Sequence, residues 1–328
     1  MAEAVQLDPQ SGQPAQPSAL PDSYAFVMNV KSLSGAISFP LIEGHELRRA
    51  TPTETTRIRS QLDILTGLSY PNSMARHLWE CQLPRTGRVT ILPEAEWRYF
   101  VIAFRGTNAV FAELEHAFDL ATVELEIAFT MIYSEHGIGM ALDSGGRLFQ
   151  VLQQALYESG FFVDLGKEQV DEISGIYGLL HKADPKVLDL TRILRELSGL
   201  KGLPYRSPLR FLGYFAVLES LLTHPPQPTD PYDSITRQIA KTLTLLNNRL
   251  PRRIDYGRFG GFQPERIWKT MYECRSTVAH GGQPDFTRGG LKHLRSYDQA
   301  LGLVRETAKA VILQALREPQ LLVDLREC

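Results

Sequence analysis

The segment formed by residues 208–224, PLRFLGYFAVLESLLTH, constrains the fold most, because it is apolar on almost every side at helical spacing. Ser207 before it suits a helix cap, and Pro208 suits the first helical position. A helix that is hydrophobic all round has to be enclosed by other elements. We therefore expect this helix to lie at the centre of a helical bundle.

Three further segments with helical patterns follow it along the chain: residues 232–250, 263–280 and 291–317. Upstream, residues 199–204 (GLKGLP) are rich in glycine and contain a proline, which is typical of a linker. The sequence thus predicts an all-α bundle of four helices over residues 203–328.

The third of these helices contains the candidate catalytic residues. Pro264 and Glu265 suit its first turn, and Gly281 predicts its end, since the first residue past a helix often adopts a left-handed backbone. A buried stripe is predicted from apolar residues that recur at helical spacing, namely Ile267, Met271, Cys274 and Val278.

Arg275 and His280 lie at the end of this helix. Five residues of helix turn through about 500°, so the two side chains point roughly 140° apart unless the backbone breaks. Fraying near Gly281 would let His280 turn toward Arg275, or toward a second copy of the motif in a dimer. Arginine matches a phosphate and histidine exchanges a proton near neutral pH. Since the end of a helix also attracts cations, spacing alone leaves a structural role open.

The run YECRSTVAHGG, with FLGYFAVLESLLTH upstream of it, resembles the HEPN family and is most similar to its Apea-like branch. The resemblance covers residues 203–316. It implies a dimeric all-α bundle in which an Arg-x4–6-His motif from both subunits forms a metal-independent endoribonuclease site. Arg275 and His280 are then the catalytic pair, and Ser276 after the arginine is as expected for this branch. Many members of the family act in prokaryotic antiviral defence or as toxins.

Glu219 is the lone acid in the apolar central helix. It has two interpretations. It either pairs with Arg275 and orients it, because a buried carboxylate needs a partner, or it lies on a thin polar surface stripe with Ser220 and Thr223.

Basic and aromatic residues around the motif are candidates for RNA contact, since such mixtures grip phosphates and stack on unpaired bases. A solvated loop is the alternative. The candidate cations are Arg252, Arg253, Arg258, Lys292 and Arg295. Phe259, Phe262 and His293 lie close to them in the sequence.

The N-terminal part differs in pattern. Residues 1–21 are rich in Gln, Pro, Ser and Ala, which predicts a disordered tail. Strands are predicted over 24–28, 36–42, 89–92 and 97–104, helices over 51–65 and 111–123, and residues 126–133 are ambiguous. From residue 147 helices dominate, over 148–157, 168–181 and 184–197. We thus expect an α+β protein, with a mixed α/β or β-rich regulatory or sensor module over 22–200.

Charge is unevenly distributed, because residues 203–328 carry 18 Lys and Arg against 12 Asp and Glu, whereas the remainder carries 17 against 25. A basic C-terminal part suits a polyanion such as RNA. Three scattered cysteines favour a reducing cytoplasm, and no apolar run reaches the ~20 residues that span a bilayer. The histidines have no metal-ligand spacing, and the sequence has neither a Walker-type phosphate loop nor a Gly-x-Gly-x-x-Gly after a predicted strand, so we expect no metal and no cofactor.

The sequence therefore favours two functions. The first is a cytoplasmic endoribonuclease that works as a homodimer on an RNA substrate, with a trigger or antitoxin partner at the N-terminal module and no membrane. The second is a non-catalytic HEPN module that binds a nucleotide or a protein. Ser276 favours it, because active members of the family that this chain resembles often have Asn, Asp or His directly after the arginine.

Overall fold

The structure, a computed structural model, describes residues 22–66, 74–82, 89–105, 109–134, 137–142, 148, 161–225 and 234–327. The predicted tail over 1–21, the helix predicted over 148–157 (apart from residue 148) and the predicted start of a helix at 232 lie outside these residues. The protein has an α+β fold, in which an N-terminal antiparallel sheet precedes a helical region. The predicted fold class is confirmed.

The main sheet has six strands in the order β3-β4-β7-β1-β8-β9, and every neighbouring pair in it is antiparallel. The ambiguous segment 126–133 forms β8, one of its inner strands. Two small sheets pair β10 with β2 and β5 with β6. The strands are β1 Ser23–Val27, β2 Val30–Leu33, β3 Ser38–Ile42, β4 His45–Arg49, β5 Cys81–Gln82, β6 Thr90–Ile91, β7 Phe100–Phe104, β8 Ile127–Ser134, β9 Gly137–Leu142 and β10 Val163–Leu165.

Two groups of helices accompany the sheet. Those that lie among or soon after the strands are α1 Pro52–Thr66, α2 Met74–Glu80, α3 Phe111–Leu120, α4 Lys167–Lys182 and α5 Thr191–Lys201. Those of the C-terminal bundle are α6 Pro208–Leu222, α7 Ile235–Leu246, α8 Pro264–Ala279, α9 Tyr297–Arg317 and α10 Pro319–Glu327. In the part of the chain that the structure covers, none of the helices is both long and apolar enough to cross a membrane.

The central strands β1 and β7 are buried along their whole length because both faces of the sheet are covered. Side chains alternate between the faces of a strand. Ala25 and Val27 therefore point into the larger hydrophobic core, which includes α3 to α6 and the bundle. Tyr24 and Phe26 point into a smaller core with Ile58 of α1 and other residues of α1 and α2.

Helix α1 begins where the sequence predicts, for the predicted reason. The Thr51 amide donates to the Glu54 carboxylate at 2.7 Å, and the Glu54 amide donates to Thr51 Oγ1 at 3.3 Å. This reciprocal capping box satisfies two amides that the first turn leaves unpaired.

Helix α6 occupies the central position predicted for it. It contacts α5, α7, α8, α9 and α10, and its Phe211, Phe215 and Leu218 are almost completely buried. A helix without a polar face is stable only in such surroundings. The prediction that α6 is central to the bundle is confirmed.

Two helices begin six or more residues later than the sequence predicts. The helix predicted from residue 184 begins at Thr191. The helix predicted from residue 291 begins only at Tyr297, because Arg295 has a left-handed backbone with φ 62° and Ser296 caps the new helix by accepting a hydrogen bond from the Gln299 amide at 3.2 Å. Residues 290–294 form a short 3-10 helix instead.

The predicted linker at 199–204 does not separate two hydrophobic cores. Helix α5 runs through to Lys201, and its Leu197 belongs to the same core as Phe215 of α6 and Ala25 of the sheet. Helix α9 of the bundle also contacts α3 and α4. The N-terminal region and the bundle are therefore packed against each other through a continuous apolar core.

A group of charged residues, here called the junction cluster, joins the two regions: Asp119, Glu124, Glu126, Lys201 and Lys309. Lys201 Nζ lies 2.7 Å from Asp119, 2.8 Å from Glu124 and 2.9 Å from Glu126. Lys309 Nζ lies 2.7 Å from Glu124, and its side chain is only 6% exposed. Each ammonium group is thus neutralised by carboxylates that reach it from the N-terminal region.

Candidate functional site

Helix α8 provides the scaffold of the candidate site. Pro264 occupies its first turn, and the four predicted stripe residues are all buried against the rest of the bundle. Burial raises the pKa of the Cys274 thiol to about 12. The inner face of α8 is therefore apolar, and Cys274 is a packing residue rather than a nucleophile.

The end of α8 is an ordered Schellman motif. The Gly281 amide donates to the Val278 carbonyl at 3.0 Å, and the Gly282 amide donates to the Thr277 carbonyl at 2.9 Å. Gly281 has φ 74°, the left-handed conformation expected of the residue that follows a helix cap. The prediction that the helix ends at Gly281 is confirmed, and His280 is the capping residue.

The end of the helix is not frayed, contrary to the expectation from sequence. Regular helix extends through Ala279, and the His280 amide still donates to the Ser276 carbonyl at 3.1 Å. The angle of about 140° expected between Arg275 and His280 on a continuous helix therefore persists. Within one chain the two side chains do not converge, because the Schellman hydrogen bonds hold the last turn closed.

Arg275 forms an ion pair with Glu219 of the central helix. Arg275 Nη2 lies 3.3 Å from one carboxylate oxygen of Glu219 and 3.4 Å from the other. The side chains are 31% and 19% exposed, respectively. Glu219 therefore forms the ion pair with Arg275 that one of its two interpretations predicts.

Aromatic packing fixes the position of this pair. The Arg275 guanidinium lies over the Tyr272 ring, with its Cζ 5.4 Å from the ring centroid. Tyr272 in turn packs edge-on against Phe215 at 6.3 Å between centroids. Arg275 Nε is buried and lacks a hydrogen-bond partner among the described residues. The guanidinium is thus held by one acid and one ring, with an unsatisfied donor.

His280 has a different environment. It is exposed, and its imidazole forms no hydrogen bond or ion pair with any residue that the structure describes. Ser276, the other predicted supporting residue, is half-buried one position after Arg275. The motif therefore combines a partly buried, oriented guanidinium with a free imidazole at a rigid helix end.

The predicted RNA-binding residues fall into two groups. Arg252 forms an ion pair with Glu172 of α4 and donates to the Leu120 carbonyl at 3.1 Å, while Arg258 forms an ion pair with Glu306 of α9. These two guanidinium groups therefore join the segment before α8 to α4 and α9.

Arg253, Lys292 and Arg295 are instead exposed. These three cations are open to a ligand. Arg295 lies close to the backbone next to Phe259, because its Nη2 is 3.7 Å from where a Cβ on Gly260 would stand.

Sequence reasoning did not select Arg266. In the structure its guanidinium lies over the Phe262 ring at 5.0 Å, and its Nη2 lies 3.5 Å from His293 Nε2. The Phe262 and His293 ring centroids are 4.1 Å apart. In the sequence, the spacing of four residues between Phe262 and Arg266 at a helix start is the feature that indicates their contact. The approach of His293 depends on the fold and cannot be read from the sequence.

Among the described residues, no group of three or more His, Cys, Asp and Glu side chains is arranged so that it could hold a metal ion. Comparisons of the chain with protein-family models, with curated proteins and with solved structures gave no match. The geometry around Arg275 and His280 is therefore the basis for a functional proposal.

Proposed function

We propose that the protein is a metal-independent endoribonuclease of the HEPN type, acting in the cytoplasm in prokaryotic defence or as a toxin. One observation carries the proposal. A guanidinium held by Glu219 and a free, exposed imidazole lie within the last two turns of one rigid helix. A fixed cation and a titratable base are the two groups that cleavage of RNA through its own 2′-hydroxyl requires.

In the proposed reaction, His280 takes the proton of a ribose 2′-hydroxyl, and the 2′-oxygen attacks the adjacent phosphorus. The bond from phosphorus to the 5′-oxygen breaks, and the leaving oxygen takes a proton from water, while the proton that His280 accepted passes to the solvent. Arg275 stabilises the negative charge that builds up on the non-bridging oxygens. Turning toward a phosphate would also give its unsatisfied Nε a partner. The products are a 2′,3′-cyclic phosphate and a 5′-hydroxyl.

The proposed site is shared between two copies of the chain. Because the ordered helix end keeps Arg275 and His280 apart within one chain, a second copy that presents its own motif supplies the missing approach. A two-fold arrangement would place the arginine of each copy near the histidine of the other. We expect a homodimer in light scattering. A monomer at micromolar concentration that still cleaves RNA would contradict the shared site.

The N-terminal region is proposed to act as a regulatory module that receives a trigger or an antitoxin partner. Its contacts with the bundle through α3, α4 and the junction cluster provide a route by which binding at the sheet would reach the helices. A variant that lacks residues 1–200 and keeps the same activity under the same control would contradict this role.

The test of the nuclease is incubation of the full-length protein with RNA in EDTA. His280→Ala should lower the cleavage rate roughly 10²- to 10⁴-fold, the usual contribution of a general acid or base. The matched control is His181→Ala, which removes an exposed histidine on α4 whose Nδ1 lies 3.3 Å from the Glu113 carboxylate. It should leave the rate unchanged. Undiminished cleavage by His280→Ala would overturn the mechanism.

The alternative function is a non-catalytic module that binds a nucleotide or a protein. The ion pair between Arg275 and Glu219 is the observation that favours it, because such a pair also stabilises a bundle without any ligand. In this case the wild-type chain would cleave no RNA, and Arg275→Ala would lower thermal stability because it breaks the ion pair with Glu219.

A further inference from the structure

We propose that Phe262, Arg266 and His293, with Arg295 beside them, form a platform on which unpaired bases of RNA stack. This inference deepens the proposed function and rests on it. It concerns how the substrate is held at a distance from the scissile phosphate. These four residues are called the stacking platform below.

Three flat groups meet at the platform. The Phe262 ring contacts the His293 ring at 4.1 Å between centroids, with an angle of 52° between their planes. The Arg266 guanidinium lies over the same phenyl ring at 5.0 Å, and its Nη2 is 3.5 Å from His293 Nε2. Phe262 and His293 are half-buried and Arg266 is exposed, so the group is anchored on one side and open on the other.

The backbone around the platform adopts unusual conformations. Gly260 and Gly261, just before Phe262, both have φ 79°, and Gly289 has φ 57° at the start of the 3-10 helix that carries His293. Arg295, two residues after His293, is the one non-glycine with positive φ among the described residues. Glycine adopts a positive φ at no steric cost, whereas at another residue it costs about 1–3 kcal/mol, so the strain here lies at Arg295; such strain is concentrated at functional sites. This backbone brings the Arg295 guanidinium close to Gly260.

The charge around the platform favours an anion. Lys269 and Lys292 are exposed close to it in the chain, and residues 281–296 carry three Lys and Arg against one Asp. The nearest acid along α8, Glu265, is exposed and is approached by the Thr244 hydroxyl at 3.2 Å. Flat groups beside cations fit a base and its phosphate. An acidic peptide would use the cations but not the stacked rings.

The platform lies on the same side of α8 as His280. Fourteen residues separate Arg266 from His280, which is about 21 Å along a helix and within about 40° around it. The 3-10 helix lies along this side, since Gly290 is close to Glu273 and His293 is close to Arg266. A strand cleaved at His280 would cross this surface, but a dinucleotide would be too short to reach the platform.

The test measures the binding of a fluorescent single-stranded oligonucleotide with 2′-O-methyl riboses, which cannot be cleaved through a 2′-hydroxyl. Arg266→Lys keeps the charge and removes the planar group, and Phe262→Leu keeps an apolar side chain and removes the ring. Each should weaken binding roughly 5- to 150-fold, the value of one stacked base. The matched control, Lys186→Ala, removes an exposed cation between α4 and α5 and should bind like the wild-type chain.

The outcomes separate this inference from the nuclease itself. Weaker binding by both variants supports the platform even if the wild-type chain cleaves nothing. If the chain does cleave RNA, both variants should lose a larger fraction of their activity on a long strand than on a dinucleotide. Unchanged oligonucleotide affinity in Arg266→Lys would overturn the platform and leave an acidic peptide as the ligand class.

Discussion

The junction cluster and the end of α8 both bring cations together with carboxylates, but they do so in opposite ways. In the junction cluster, Lys309 is 6% exposed and its ammonium lies within 2.7 Å of both Glu124 and the Ala121 carbonyl. At the end of α8, Arg275 is 31% exposed, its closest carboxylate oxygen is 3.3 Å away, and its Nε has no partner in the part of the chain that the structure describes.

The difference teaches which charges hold the fold and which are open to a ligand. Burial by itself would raise the pKa of Glu124, but the charges of Lys201 and Lys309 outweigh it and hold that pKa well below its usual range. A buried charge persists only when it is neutralised in this way. Arg275 has a single, longer ion pair, and His280 has no partner among the described residues. Neither side chain has all its possible contacts, so a phosphate can still add favourable ones there.

The largest expected effect is on stability, at the junction cluster. Lys309→Met leaves Glu124 with one cation fewer and the Ala121 carbonyl without its donor, so we expect unfolding to become easier by roughly 3–5 kcal/mol. Arg275→Met should cost clearly less, since its site is partly exposed. Urea denaturation of both variants measures the difference. Equal losses would erase the distinction between the two regions.

A smaller effect is expected on catalysis when the acid at the end of α8 is changed. Glu219→Gln keeps the shape of the side chain and removes the charge that orients Arg275, so kcat for RNA cleavage should fall roughly ten- to a hundredfold. KM should change little, because Glu219 does not touch the substrate in the proposed reaction. Glu273→Gln, which removes an exposed acid of α8, serves as the control. A loss of equal size in both variants would show a general effect of charge.

The smallest effect concerns the rigidity of the helix end that presents His280. Gly281→Ala forces alanine into φ 74° and should destabilise the protein by about 1 kcal/mol. Gly178→Ala, within α4 and with open space around it, should instead stabilise it by about 0.5–1 kcal/mol. Thermal unfolding compares the two variants. A gain in stability from Gly281→Ala would contradict the ordered Schellman end.

Several features of the fold and the site follow from short stretches of sequence. Thr51 and Glu54 predict the start of α1, and Gly281 predicts the end of α8. The lone acid in an apolar helix pointed to an ion pair as one of two interpretations of Glu219, and the pair with Arg275 is present. Lys309 offers the same signal, because it is a single cation within the apolar stretch AKAVILQAL, but the sequence does not reveal its partner.

By itself, the sequence determined the α+β class, the central place of α6, the buried stripe of α8 and the position at which that helix ends. Tertiary structure alone decided that the sheet and the bundle share a core, that Arg252 pairs with Glu172, and that His293 meets Phe262 and Arg266. The reason is physical. Capping and periodicity act between residues within a few positions of each other, whereas these contacts join residues that only the packing of distant elements brings together.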